Sequence, residues 1–199
     1  MQSDDEIRKI VACLENSGVV LMPTDTVYGL AVLPARARAV GRVYALKQRP
    51  GGMNLPIMVD SAEKLPALGL AINEAARRLL DSPLVPGALT LALGFRERPI
   101  PGWLEGREEV AIRIPDDRRL LDVLGQTGPL LVTSANRHGD ATPGTLADAL
   151  AQLDGAVDLA VEGGRLSRAP STLVNCRRDP PVIEREGAIS RETIMEYLR

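Results

Sequence analysis

The apolar runs of this chain are short, and several of them end in loops rich in hydroxyl groups. Residues 18–22 (GVVLM) stop at a proline, and Thr-Asp-Thr follows at 24–26. Residues 130–133 (LLVT) lead into Ser-Ala-Asn, and Ala-Pro-Ser precedes residues 172–175 (TLVN). Apolar runs of four to eight residues bounded by turn residues are typical of buried strands. The pattern therefore predicts short strands whose ends carry polar loops.

Amphipathic segments alternate with these strands. Apolar residues at helical spacing predict helices over 4–16, 35–47, 73–80, 117–124, 145–153 and 190–199. Apolar runs and alternation predict strands over 19–22, 55–59, 89–93, 110–114, 130–133, 157–161, 172–175 and 182–185. Because no repeat or low-complexity linker divides the 199 residues, we expect one domain over 1–199. The fold class predicted is α/β, with a single twisted mixed sheet flanked by helices.

The composition argues against several functions. A net charge of −2 and 3% aromatic residues provide neither the cationic field nor the stacking surfaces of a nucleic-acid-binding protein. Cys13 and Cys176 are far apart and give no basis for a disulfide framework or a zinc site. His138 is the only histidine and sits in a loop beside a glycine, so neither a catalytic triad nor a multi-histidine metal site is expected.

The usual nucleotide and membrane signatures are missing from the sequence. It has neither the P-loop pattern nor G-x-G-x-x-G after a strand. The N-terminal residues MQSDDEIRKI lack the pattern of a signal peptide, and no apolar run approaches the ~18 residues of a membrane span. We therefore expect a cytoplasmic protein with no membrane partner.

The hydroxyl-rich loops and four cations have two interpretations each. The loops are either ordinary turns or a ligand crevice at the strand ends. Lys47 and Arg49, at the end of a helix, either complement the helix dipole or clamp a phosphate. Arg113 lies mid-strand on one face with an alanine, so it needs either a structural carboxylate or a ligand carboxylate. Arg185 ends a strand and is either an edge charge or a ligand contact.

Seven stretches, in order along the chain, resemble the motifs of the YrdC-like family, the threonylcarbamoyl-AMP synthases. They are MPTDTVYGL, LKQRP, VPGALTLAL, VAIRIP, TSAN, PSTLV and VIEREG. The similarity runs from about residue 7 to 189, and it resembles the short form that lacks an extra C-terminal domain. The resemblance implies the YrdC-like fold.

The resemblance also implies a reaction in which L-threonine, bicarbonate and ATP give threonylcarbamoyl-AMP and pyrophosphate, with Mg²⁺ expected alongside ATP. Other proteins then transfer the threonylcarbamoyl group to an adenosine of tRNA, so direct tRNA binding is expected to be weak or absent. The roles implied are threonine binding for Thr26, Arg113 and Ser171; catalysis and ATP binding for Lys47 and Arg49; and ATP binding for Ser134, Asn136, Thr142 and Arg185. No metal ligand is implied.

The chain departs from the family pattern at several positions. Met58 stands where many members have histidine, and Glu109 where relatives often have threonine. Residues 51–56 read GGMNLP, and His138 precedes Gly139 where a serine is common. Two alternative functions therefore stay open. One is a diverged paralogue with another carbamoyl or ATP chemistry. The other is a non-catalytic RNA-binding module with a basic stripe beside Tyr44, made of Arg36, Arg38, Arg42, Lys47 and Arg49. For the synthase, we expect no obvious general base, with proximity of the reactants doing most of the catalysis.

Overall fold

The computed structural model describes residues 2–51, 53–96, 100–166 and 169–199 of the chain, without the side chains of residues 2 and 3. Six α-helices lie within these ranges: α1 (Gln2–Glu15), α2 (Ala37–Leu46), α3 (Glu74–Leu80), α4 (Arg118–Thr127), α5 (Leu146–Gln152) and α6 (Arg191–Leu198). Two 3-10 helices cover Ala62–Leu68 and Gly102–Leu104.

Nine strands form one mixed sheet. They are β1 (Val20–Met22), β2 (Gly29–Val32), β3 (Ile57–Met58), β4 (Leu89–Gly94), β5 (Glu109–Arg113), β6 (Leu130–Ser134), β7 (Leu159–Ala160), β8 (Thr172–Asn175) and β9 (Val182–Arg185). Their order across the sheet is β7-β1-β2-β6-β3-β5-β4-β8-β9. The pairs β1–β7, β3–β5 and β4–β8 are parallel, and the other neighbours are antiparallel.

Helices lie on both faces of this sheet. One buried cluster joins α1 and α4 to residues of β1, β2, β3 and β6. The other cluster joins α2, α3, α5 and α6 to the opposite face along most of the sheet. Because the α1–α4 cluster contains no residue of β4, β5, β8 or β9, this half of the first face is left uncovered by helices of the described chain.

Alternation along the strands determines which side chains face this uncovered half. In β5, Val110 and Ile112 join the buried core, while Ala111 and Arg113 point to the other side. In β4, Leu91 belongs to the same core cluster and its neighbour Ala92 faces the open side. The predicted facing of Ala111 and Arg113 is confirmed, since successive side chains of a strand point to opposite faces.

The predicted fold class, a single mixed sheet flanked by helices, is confirmed. All predicted helices and strands are present, with ends that differ by one to three residues at most positions. Three elements were not predicted, namely strand β2 and the 3-10 helices Ala62–Leu68 and Gly102–Leu104. Strand β2 follows the polar turn at residues 24–26, and its four buried residues are too few to show a period of their own. No helix within the described ranges is both long and apolar enough to cross a membrane.

Candidate active site

A cavity of about 450 Å³ lies over the helix-free half of the sheet and extends to residues of β2, β3 and β6. Its floor is made by small or apolar side chains of the central strands, including Gly29, Ala92, Ala111 and Val132. Hydroxyl groups and charged side chains surround this floor; they come from Thr24, Thr26, Arg49, Thr90, Glu109, Arg113, Thr133, Ser134, Ser171, Glu184 and Arg185. The three hydroxyl-rich loops therefore converge on one crevice at the sheet, as the ligand-binding interpretation predicts.

The turn at residues 24–26 is built by Thr24. Its hydroxyl donates to the carbonyl of Val27 at 2.7 Å and accepts from the backbone N–H groups of Thr26 and Val27 at 3.2 Å each. Such local bonds from a threonine hydroxyl fix a tight turn. Thr24 is thus the turn former, which leaves Thr26 and Asp25 to contact other parts of the molecule.

Arg113 is the most buried cation in the cavity lining, with 5% of its surface exposed. Its Nε donates to the carbonyl of Gly87 at 2.9 Å, and its Nη1 donates to Thr26 Oγ1 at 2.8 Å. Its Nη2 forms an ion pair with Asp25 Oδ2 at 2.7 Å. Burial lowers the pKa of Arg113, and the Asp25 carboxylate partly offsets this effect.

The buried Arg113 has its charge partner within the chain. A structural carboxylate, Asp25, balances the buried charge, so no ligand is needed for that purpose. Arg113 nevertheless lines the cavity, and its five N–H groups have only three acceptors in the described chain, on Gly87, Thr26 and Asp25. Because a buried donor without an acceptor is costly, the remaining N–H groups are suited to a ligand oxygen.

Ser171 and Arg185 form the opposite wall. Arg185 donates through Nε and Nη2 to the Ser171 carbonyl at 3.1 and 2.9 Å, and through Nη2 to Ser171 Oγ at 3.2 Å. The Ser171 hydroxyl also shares a hydrogen bond of 2.7 Å with the Thr90 hydroxyl. Partial desolvation and then the charge of Arg113 lower the pKa of Arg185. Two like charges facing one cavity favour an anionic ligand between them.

Gly187 lets the Ser171 segment approach this wall. A β-carbon built on Gly187 would lie 2.1 Å from the Pro170 carbonyl oxygen and 2.7 Å from the Ser171 carbonyl carbon. Its N–H donates to Thr172 Oγ1 at 2.9 Å. The glycine of the Arg-x-Gly stretch is therefore needed for close backbone packing behind Ser171.

Lys47 lies behind the loop at residues 134–136 and does not line the cavity. Its side chain is almost fully buried, and its Nζ donates to the carbonyl oxygens of Ser134 and Asn136 and to Asn136 Oδ1. Burial, with a smaller contribution from the charge of Arg49, lowers the pKa of Lys47 to about 8. Its predicted contact with phosphate requires the ammonium group to give up at least one of these oxygens, and it stays a prediction.

Asn136 organises the same loop from inside. Its Nδ2 donates to the carbonyls of Arg137 and Asp140 at 2.9 and 2.7 Å, and its Oδ1 accepts from Ser134 Oγ at 2.5 Å. Ser134 lines the cavity, whereas neither Asn136 nor Thr142 does. The predicted role of Asn136 in shaping the loop agrees with this geometry, while its direct contact with ATP stays a prediction, as does that of Thr142.

Arg49 reaches the cavity from the segment that follows α2. Its Nη2 donates to the Asn54 carbonyl at 3.3 Å, and its buried Nε has no hydrogen-bond partner within the described residues. Met53, Asn54 and Pro56 line the cavity beside it. His138 is exposed, and it does not line the cavity.

Several site features were missed by sequence reasoning. Tyr28 is fully buried, and its hydroxyl group donates toward the Gly164 carbonyl at 2.8 Å and accepts from the Gly163 N–H at 2.9 Å. It thereby holds the start of the segment 163–171. Residues 167 and 168 of this segment lie outside the described chain. Thr90 and Glu184 also line the cavity. Thr90 was detectable, because it alternates with core leucines in a strand and must face the other side.

The chain supplies no clustered metal ligands within the described residues. No group of three or more histidine, cysteine, aspartate or glutamate side chains there could hold a metal ion. The charged residues of the cavity lining are two carboxylates, Glu109 and Glu184, and three arginines, Arg49, Arg113 and Arg185.

A single mixed sheet with a cavity lined by these motifs defines a known class of proteins. The Sua5_yciO_yrdC family model, described as "Telomere recombination", matches residues 12–187. The chain belongs to this family.

Its relatives include both assigned and unassigned proteins. The threonylcarbamoyl-AMP synthase of Bacillus subtilis is 34% identical over 195 residues, which cover 96% of this chain and 56% of that protein. The uncharacterized protein YciO of Escherichia coli K12 is 30% identical over 189 residues, covering 91% of this chain and 88% of that protein. The chain thus spans just over half the length of the first relative and most of the second.

Solved structures similar to this chain include both a Sua5 and a YciO protein. The crystal structure of P. abyssi Sua5 complexed with L-threonine has a TM-score of 0.86 and 30% identity, and it covers 96% of this chain and 56% of that one. The crystal structure of E. coli YciO has a TM-score of 0.84 and 27% identity, with 96% and 93% covered. The fold is therefore shared with both branches of the family.

Proposed function

We propose that the chain is an L-threonylcarbamoyladenylate synthase, a nucleotidyltransferase that makes threonylcarbamoyl-AMP and pyrophosphate from L-threonine, bicarbonate and ATP. The observation that carries the proposal is the buried Arg113, which lines a cavity together with Thr26 and Ser171 and has more N–H groups than acceptors in the described chain. A guanidinium group with a free donor suits the carboxylate of an amino acid. The similarity to a synthase and to a Sua5 complexed with L-threonine supports the same function.

The reaction joins three anionic or nucleophilic groups. The amine of threonine attacks the carbon of bicarbonate with loss of water, and an oxygen of the resulting carbamate attacks the α-phosphorus of ATP while pyrophosphate leaves. In this scheme Arg113 holds the threonine carboxylate, and the hydroxyl groups of Thr26 and Ser171 orient the amino acid. Arg49, Arg185 and Ser134 contact the phosphates, because all three line the cavity and can donate hydrogen bonds.

Lys47 contributes to this site through the loop it binds. Its ammonium group fixes the carbonyls of Ser134 and Asn136, and therefore fixes the position of the Ser134 hydroxyl in the cavity wall. The predicted direct contact of Lys47 with the phosphates remains part of the proposal for the ATP-bound state. Mg²⁺ enters as the counter-ion of the triphosphate.

Removal of the amine proton is assigned to the reactants themselves. His138 is exposed and does not line the cavity, so it is not placed to act as a base. Carboxylate or phosphate oxygens of the substrates take the proton once the groups are held together. A pH–rate profile with an essential titrating group that disappears in Asp25→Asn would contradict this assignment.

The remaining features of the proposal concern the cellular context. The chain acts as one domain over residues 1–199 in the cytoplasm, and other proteins transfer the threonylcarbamoyl group to tRNA.

The second candidate is a diverged paralogue with a different acyl acceptor, and Met58 and Glu109 in the cavity lining favour it. Both are positions where the sequence departs from the family pattern.

Pyrophosphate release tests the proposal. The full chain is incubated with ATP, Mg²⁺ and bicarbonate, with threonine, serine, alanine or no amino acid. We expect release that depends on both threonine and bicarbonate. Release that is indifferent to the amino acid would overturn the threonine assignment, and release specific for another amine would establish the paralogue.

A further inference from the structure

The cavity has a carboxylate end opposite its guanidinium end. Glu109 and Arg113 belong to the same strand and both line the cavity, with Ala111 between them on the same face. Four residues of an antiparallel strand separate their α-carbons by about 13 Å. Thus one end of the cavity favours anions, and the other end, roughly a nucleoside length away, favours hydrogen-bond donors.

The carboxylate end is held rigidly by its neighbours. Arg177 Nη1 donates to Glu109 Oε2 at 2.7 Å. Asn175 Nδ2 donates to Glu184 Oε1 at 2.7 Å and approaches Glu109 Oε2 at 3.5 Å. A carboxylate accepts about four hydrogen bonds, so the Glu109 carboxylate keeps capacity for a ligand donor.

Small and apolar side chains make the floor between the two ends. Ala92 on β4 is paired directly with Ala111 on β5, and Leu173 on β8 lies alongside. Small side chains on a sheet leave room for a planar ring to lie against the strands. A ribose, which carries several hydroxyl groups, would find few partners on this floor, whereas a nucleobase would bury its face there.

We propose that Glu109 selects the nucleobase of the bound nucleoside triphosphate by accepting a hydrogen bond from its exocyclic amino group. The inference rests on the proposed function, in which the phosphates lie toward Arg185 and Ser134. With the phosphates there, the base extends over Ala92 and Ala111 toward Glu109. A base with a carbonyl oxygen at the same position is disfavoured, because two acceptors then face each other across the gap.

The test compares ATP with ITP, which carries a carbonyl oxygen in place of the 6-amino group. Binding to the full chain with Mg²⁺ is measured by calorimetry, and pyrophosphate release with threonine is measured in parallel. We expect ATP to bind about tenfold more tightly than ITP, which corresponds to one hydrogen bond to a charged group. In Glu109→Gln the preference is lost, since an amide can donate to the carbonyl.

Glu108→Gln is the matched control. Glu108 is the neighbouring glutamate, its side chain is 88% exposed, and it lies 3.9 Å from the same Arg177 without lining the cavity. This variant should keep the wild-type preference for ATP. Loss of the preference in both variants would mean that Arg177, rather than the Glu109 carboxylate, sets it, and would overturn the proposal.

Three further outcomes are decisive. Equal affinity for ATP and ITP, with pyrophosphate release still dependent on threonine, would overturn this inference and leave the proposed function standing. Weak binding of 3′-deoxy-ATP that is restored in Glu109→Gln would assign the carboxylate to the ribose instead of the base. No binding of any nucleotide would overturn the proposed function and this inference together.

Discussion

Two buried cations border the same site, and their surroundings differ. Lys47 lies behind the loop at residues 134–136, where three oxygen atoms accept hydrogen bonds from its ammonium group. Arg113 lies in the cavity wall, where Gly87, Thr26 and Asp25 supply three acceptors for the five N–H groups of its guanidinium. The comparison indicates that a buried cation with all its donors used holds structure, whereas one with a donor left over is prepared for a ligand.

The largest expected effect is at Arg113. Replacing it by lysine keeps the charge near Asp25 but removes the planar fork of donors, so we expect threonine to bind about a hundredfold more weakly. Calorimetric titration of threonine measures this loss. Unchanged affinity in a folded Arg113→Lys protein would show that the carboxylate binds elsewhere.

The next largest effect is on stability, at Lys47. In Lys47→Met the oxygens of Ser134 and Asn136 lose their donor, and we expect the free energy of unfolding to fall by about 2 kcal/mol. The melting temperature should fall by about 6 °C for a chain of this size. Lys64→Met, at an exposed lysine, is the control and should leave the melting temperature unchanged.

The melting temperature and ATP binding of Lys47→Met together test the difference between the two cations. If Lys47→Met melts like the wild type but loses ATP binding, then Lys47 acts directly on the nucleotide and the distinction between the two cations is wrong. Retained ATP binding together with a lower melting temperature would confirm that Lys47 holds structure and does not contact the nucleotide.

Gly187→Ala should disturb the wall without touching a ligand directly. The new methyl group would overlap the carbonyl of Pro170 and displace Ser171, so we expect a loss of about 1.5 kcal/mol in stability and weaker threonine binding. Gly102→Ala is the control, because a β-carbon there meets no atom within 4 Å. Equal melting temperatures for the two variants would contradict the packing argument.

Thr26→Val should weaken threonine binding about tenfold while keeping the volume of the side chain. The substitution removes the oxygen that accepts from Arg113 Nη1 at 2.8 Å. Thr26→Ser keeps that oxygen and should bind threonine almost as the wild type does. If serine at this position is as harmful as valine, the methyl group rather than the hydroxyl group is what matters.

The smallest effect is a dependence of stability on pH. The pKa of Lys47 is lowered to about 8 in the folded chain, so above this pH the unfolded chain binds more protons and stability rises with pH. From pH 8 to 9 the free energy of unfolding of the wild type should rise by about 1 kcal/mol relative to Lys47→Met. A constant difference would mean that the three oxygens keep the lysine protonated.

The sequence was sufficient to predict most of the fold and six of the residues that line the cavity, namely Thr26, Arg49, Arg113, Ser134, Ser171 and Arg185. Alternation in residues 110–114 correctly placed Arg113 and Ala111 on one face, because the period of a strand is independent of its partners. Strand β2 was not predicted, since its apolar residues follow a polar turn and its pairing with β6 is set by residues a hundred positions away. Local pattern carries no information on such pairing.

The same limit explains which site contacts could not be foreseen. That Asp25 balances Arg113, and that Lys47 binds the loop of Ser134 and Asn136, depends on contacts across 87 to 89 residues of chain. The sequence identified these residues as polar and unusual in their positions. Only the folded chain shows which of their atoms already have partners and which are available.

Binding of L-threonine compared with L-threonine amide tests the central claim most directly. The two ligands differ in the carboxylate that Arg113 is proposed to hold. We predict that the wild-type chain binds threonine at least tenfold more tightly than the amide, and that Arg113→Lys binds the two with more similar affinity. Equal affinity of the wild type for both ligands would contradict the account, because the guanidinium group in the cavity would then have no part in recognising the amino acid.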